Sequence, residues 1–174
     1  MRVHLGTAEV LARAVQTPAI APGQRGVARL VLETAVVARG GDRFVLRSFS
    51  PVTTIGGGVV LDPFAPPRTR LRRRRLAVEQ GPAARLGVLA VEAGLMGLAI
   101  DSLAVRLGVS PGRVTAVIAE VGETVTTSPE TVVDRQALVA EAGRLAEVVR
   151  RYHEDHPLDP GMSLQALQIG RAHV

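Results

Sequence analysis

Apolar and polar positions alternate over the first third of the chain and switch to a helical period over the rest. "VHLGTAEVLARAV" mixes β-branched and apolar residues with polar ones, and Gly6 falls inside it as a bend or bulge. "GVARLVLE", Gly26–Glu33, puts Val27, Leu30 and Leu32 inward with Arg29 and Glu33 outward. Gly40-Gly41-Asp42 is a turn signal ahead of "RFVLRSF", and the loop "SPVTT" leads to a closing strand "IGGGVVLD". Short strands separated by Gly/Pro turns at this spacing predict a small antiparallel barrel, ended by Pro63, Pro66 and Pro67.

Beyond about Pro82 the apolar period becomes that of helices. "AARLGVLAVEAGL" is one. Asp101 is placed to cap "SLAVRLG", with Gly108 at its end. Ser110 and Pro111 restart the chain as N-cap and first helical residue. "LAVRLGVSPGRVTAVIAEV" then reads as helix-turn-helix, with Ala104 inside and Val114, Val117 and Ile118 packing back. "ETVTTSPETVVD" supplies a hairpin about Ser128-Pro129, which makes the unit a winged helix. A long helix follows in "RQALVAEAGRLAEVVRRYHEDH", with Leu138, Ala142, Leu145 and Val149 on one face, and "MSLQAL" opens another. The expected fold class is multidomain, β then α+β: a barrel over 1–66, a basic linker over 67–82, a winged helix over 83–134, and the start of a second over 135–168. The tail "IGRAHV" breaks the helical pattern and is expected to be non-native read-through over 169–174.

Composition narrows this picture. Aromatic residues are 2% of the chain, so Val, Leu, Ile and Ala must fill the core. The absence of cysteine excludes disulfides and thiolate metal sites. No apolar run approaches the ~20 residues of a membrane span, and a cytoplasmic protein is expected. Lysine is absent, so arginine carries the basic charge throughout. The net charge of +5 resides in one octapeptide, "RTRLRRRR", Arg68–Arg75. Taking its arginines from the 21 in the chain leaves the remainder at −1 against 16 acids. Such a cluster attracts polyanions by Coulomb forces.

Little of the sequence is suited to catalysis. Gly56–Gly58 precedes a β-branched run stopped by Pro63, with no Lys-Ser or Lys-Thr pair after it, whereas a phosphate loop opens a helix. A strand that bends, or that another backbone approaches closely, explains the glycines better. His153 and His156 are three apart at a helix end with no third ligand nearby, which favours ordinary surface polarity over metal binding.

The order of motifs resembles the third domain of translational GTPases, the small barrel of elongation factor Tu. The resemblance rests on Arg43–Arg47 and Thr54–Val60, with a loop Ser48–Thr53 that looks longer than in that factor. A winged helix after such a barrel is similar to the bacterial selenocysteine-specific elongation factors, and "RRYHEDHPLDPGMSLQAL" resembles the start of that family's second winged helix. The barrel is expected to lack the family's opening strand. The resemblance implies a GTPase that uses GTP and magnesium to deliver selenocysteinyl-tRNA to the ribosome at a recoded stop codon, guided by an mRNA hairpin. It implies that this stretch touches the tRNA, with Arg47, Ser48, Thr53, Thr54, Arg68, Arg70, Arg72, Arg73, Arg74 and Arg75 as candidate RNA contacts. Catalytic, cofactor and metal residues are expected to be absent from this chain, and a monomer is expected. The competing class is a DNA-binding winged-helix regulator. The segment Ser110–Val121 argues against it, because Arg113 is its one cation and Glu120 lies on the same element.

Overall fold

The computed structural model describes residues 1–15, 19–65, 81–165 and 167. The Arg68–Arg75 run and the 169–174 tail lie outside these residues.

The N-terminal part is a five-stranded antiparallel sheet: β1 Arg2–Leu5, β2 Ala8–Val15, β3 Arg29–Leu32, β4 Arg43–Arg47 and β5 Thr54–Val59, in spatial order β3-β2-β1-β4-β5. Gly6 does not bulge one long strand. It sits at φ +57° in the turn of a hairpin that pairs Leu5 with Ala8, and glycine takes that left-handed conformation without a Cβ penalty. Strand β3 begins at Arg29 rather than Gly26. Arg29 is half-buried on the face of the exposed Val31 and Glu33, and Leu30 and Leu32 take the alternate positions as their period requires. No β3–β5 pairing occurs among the described residues, so the barrel-type sheet stays open between its two edge strands.

Two of the three glycines of β5 have a direct physical cause, whereas a Cβ on Gly56 would meet nothing within 4 Å. A Cβ on Gly57 would lie 2.7 Å from the Phe44 carbonyl oxygen, and one on Gly58 would lie 2.7 Å from the Phe44 ring. Phe44 pairs with Gly58 across β4 and β5, so its ring covers the space a side chain would need.

The C-terminal part runs α1 Pro82–Ala93, β6 Leu98–Ala99, α2 Ile100–Leu107, α3 Val114–Val121, β7 Val125–Thr127 and β8 Thr131–Asp134, followed by α4 Arg135–Asp155. This is the winged-helix order, with a three-stranded sheet β6-β8-β7. Leu86, Leu89, Leu103, Val117 and Val132 are its largest fully buried side chains, drawn from both helices and sheet. Ala104 and Ile118 pack at the edge of that core.

Asp101 does not cap α2. The helix starts two residues earlier than that, at Ile100, with Ala99 at the N-cap position and Asp101 in the first turn. Pairing of Leu98 and Ala99 with β8, and the bond from Ile100 N–H to the Glu130 carbonyl at 2.9 Å, fix the helix entry. That strand is too short to show a period of two in the sequence. Gly108 ends α2 in the left-handed region at φ +70°. Ser110 and Pro111 begin a 3-10 turn, Pro111–Arg113, ahead of α3, and the Ser110 side chain makes no cap bond. Helix α4 is capped by Asp134, whose Oδ2 accepts from Ala137 N–H at 3.1 Å. Its predicted apolar face is only partly covered: Leu138 and Ala142 are exposed, whereas Leu145 and Val149 are half-buried.

Candidate nucleic-acid interface

Four of the ten sequence-predicted contact residues fall in the described structure, and they converge at one end of the sheet. Arg47 closes β4, opposite Arg2 of β1 on one side and Thr54 of β5 on the other. The register shifts between Leu46 and Arg47, a bulge that re-aims the strand end. The connecting loop is tied across its base. Ser48 N–H donates to the Thr53 carbonyl at 2.8 Å, Thr53 N–H donates to Ser48 Oγ at 3.0 Å, and the two hydroxyls lie 2.9 Å apart. Ser48 Oγ also donates to the Pro51 carbonyl. Serine and threonine thus spend their polar atoms on fixing the loop, and this presents Phe49 and Val52 outward, 61% and 50% exposed.

Sequence reasoning missed Arg2, His4, Glu9 and Phe49. Arg2 Nη1 donates to Glu9 Oε1 at 2.5 Å, and its guanidinium carbon lies 5.3 Å from the Phe49 ring centroid. His4 Nδ1 is 3.9 Å from Glu9 Oε2. Glu9's carboxyl is held below its ordinary value, chiefly by the hydrogen bond from Arg2, which outweighs the opposing effect of desolvation, with the charges of Arg2, His4 and Arg47 adding to the lowering. The result is a cationic patch with an exposed aromatic ring beside it, which suits stacking on a base while guanidinium groups meet phosphates. The one available signal was Phe49 itself, one of three phenylalanines in the chain, set between serines in a loop.

The opposite reading, a duplex-reading winged helix, finds poor ground. The exposed positions of α3 are Thr115, Ala116, Ala119 and Glu120, and the nearest cation, Arg113, sits in the preceding turn. A major-groove helix needs base-reading and phosphate-binding side chains on that face.

Gly56–Gly58 does not form a phosphate loop. The glycine run is a strand filled by Phe44 rather than a loop opening a helix. Among the described residues, no cluster of three His, Asp or Glu groups could hold a metal ion. His156 instead stacks on Tyr152 with ring centroids 4.5 Å apart. No described helix is long and apolar enough to cross a membrane.

The described residues form an open barrel-type sheet followed by a winged helix. Residues 1–67 match the family described as the beta-barrel domain of selenocysteine-specific elongation factors. The chain is also similar to a crystal structure of a bacterial selenocysteine-specific elongation factor EF-Sec, at 16% identity and a TM-score of 0.64. The likeness covers 88% of this chain and 24% of that one, so the chain spans about a quarter of that protein's length. No curated protein matches the sequence significantly.

Proposed function

We propose that the chain is part of a cytoplasmic, monomeric selenocysteine-specific translation elongation factor, contributing tRNA contact and spacing to distal RNA-binding domains. The observation that carries this is the joint presence of the family's barrel at 1–67 and a winged helix directly after it. In this reading the Arg2–Arg47–Phe49 end of the sheet meets the backbone of selenocysteinyl-tRNA. The arginines of 68–75 add phosphate contacts. The winged helix carries the connection toward an mRNA hairpin and the ribosome, and its neutral α3 face is consistent with a spacer that reads no duplex. GTP and magnesium would belong to a GTP-binding domain that these residues do not provide.

Binding of the chain to a selenocysteine-type tRNA, measured by fluorescence anisotropy across a salt series, tests the proposal. Replacement of Arg72–Arg75 by Gln is expected to weaken binding and to flatten the log-log salt slope by about 0.7 to 0.9 per lost phosphate contact. Absence of salt-dependent tRNA binding in the parent chain would reassign it to a purely structural adaptor.

A further inference from the structure

The contact between the two units is unlike a passive linker. Gly40, in the turn before β4, is buried, and its N–H donates to the Val105 carbonyl of α2 at 2.8 Å. A Cβ on Gly40 would run into the Arg106 carbonyl, and one on Gly108 into the Gly40 carbonyl, both far inside the 3.0 Å that real Cβ atoms respect. The two backbones therefore touch with no side chain between them.

Two arginines of the winged helix reach across beside this contact. Arg106 Nη1 donates to Asp62 Oδ2 at 3.0 Å, with the Asp62 side chain wholly buried and that of Arg106 17% exposed. The guanidinium carbon of Arg106 lies 5.4 Å from the Phe64 ring centroid. Arg85 Nη2 donates to the Leu61 carbonyl at 2.5 Å. Asp62 is pre-set to receive Arg106, because its other oxygen accepts from Phe64 N–H at 3.0 Å. Leu61 itself packs on the winged-helix core. A buried carboxylate needs such a partner, since an uncompensated charge in that setting is strongly unfavourable.

We infer that Arg106 and Asp62, with Arg85 and the Gly40–Gly108 contact, form a latch that fixes the barrel-type sheet and the winged helix as one rigid body. Leu61 and Arg85 are bonded to each other, so residues 66–80 join two points that the junction already holds together. The length of that segment does not set the separation of the units. Anything that pulls on the winged-helix side is transmitted to the sheet through these contacts. This goes beyond the proposed function and does not depend on it, because it concerns the protein's own geometry.

The chain contains no cysteine, so spin labels can be placed at Thr7→Cys in the exposed β1–β2 turn and Met96→Cys, 89% exposed, on the winged helix. Pulsed electron resonance on the full chain is expected to give one narrow distance component. Arg106→Ala and, separately, Asp62→Ala should abolish that narrow component, while Arg113→Ala, away from the junction, should keep it. A flexible Gly/Ser insertion within 66–80 should leave the distance unchanged, and it keeps the test valid if the Asp62 variant fails to fold. A broad distribution in the parent, a narrow one surviving Arg106→Ala, or a shift on insertion would each overturn the latch.

Discussion

Replacing Gly108 by Ala asks two things of the structure at once. The residue sits at φ +70°, ψ 33°, so any side chain there adopts a left-handed conformation that costs about 1–2 kcal/mol. The second demand is steric. The new Cβ would overlap the Gly40 carbonyl oxygen, which is backbone and has no rotamer by which to move aside. Relief requires α2 and the Gly40 turn to part. Parting forfeits the Gly40–Val105 bond and the charge-assisted bonds from Arg106 to Asp62 and from Arg85 to Leu61. One neutral bond contributes about 1 kcal/mol and each charged one about 1.5–3, so the junction loses about 4–7 kcal/mol. At about 1.4 kcal/mol per tenfold change, that is a factor of about 10³ to 10⁵ in its opening equilibrium. Amide hydrogen exchange read at Gly40 N–H reports this opening directly. Gly6→Ala is the matched control: φ is +57° and nothing lies within 4 Å of its Cβ, so it should cost the backbone strain alone and leave Gly40 exchange unaltered. A folded Gly108→Ala protein that keeps the parent exchange rate at Gly40 would refute this opening.

Other outcomes are open to simpler measurements. Leu103→Ala removes a fully buried side chain at the centre of the winged helix and should destabilise it by about 2–5 kcal/mol in urea unfolding. Asp134→Ala removes the α4 cap and should cost about 0.5–2 kcal/mol, seen as loss of helical circular dichroism on mild heating. The Glu9 carboxyl should titrate by NMR below its ordinary 4.5. Because its folded-state value is depressed, the interaction with Arg2 holds above the unfolded-state value and is lost as pH falls through the folded one, and Arg2→Ala should move the midpoint back up. Equilibrium dialysis should find no saturable GTP binding to the chain at micromolar nucleotide. An excised segment 81–134 should bind neither duplex DNA nor hairpin RNA at physiological salt, and sequence-specific retention of a duplex that Arg113→Ala abolishes would restore the regulator reading.

The local elements were legible because each carries its own period or punctuation. The turn at Gly40–Asp42, the stop at Gly108, the hairpin around Ser128-Pro129 and the strand character of Gly56–Gly58 all follow from backbone preferences that act over a few residues. The same reasoning failed where the deciding partner is distant. The entry of α2 at Ile100 is set by β8, some thirty residues on, and not by Asp101. Arg2 and Phe49 meet only because β1 pairs with β4. In sequence, Asp62 and Arg106 are ordinary charges, and Gly40 is one half of a turn signal. Tertiary packing makes Asp62 a buried carboxylate that needs a cation, and makes Gly40 a point where only hydrogen fits between two backbones. Periodicity encodes which face of an element is apolar, whereas the partner of a single polar group depends on a three-dimensional adjacency that no local pattern contains.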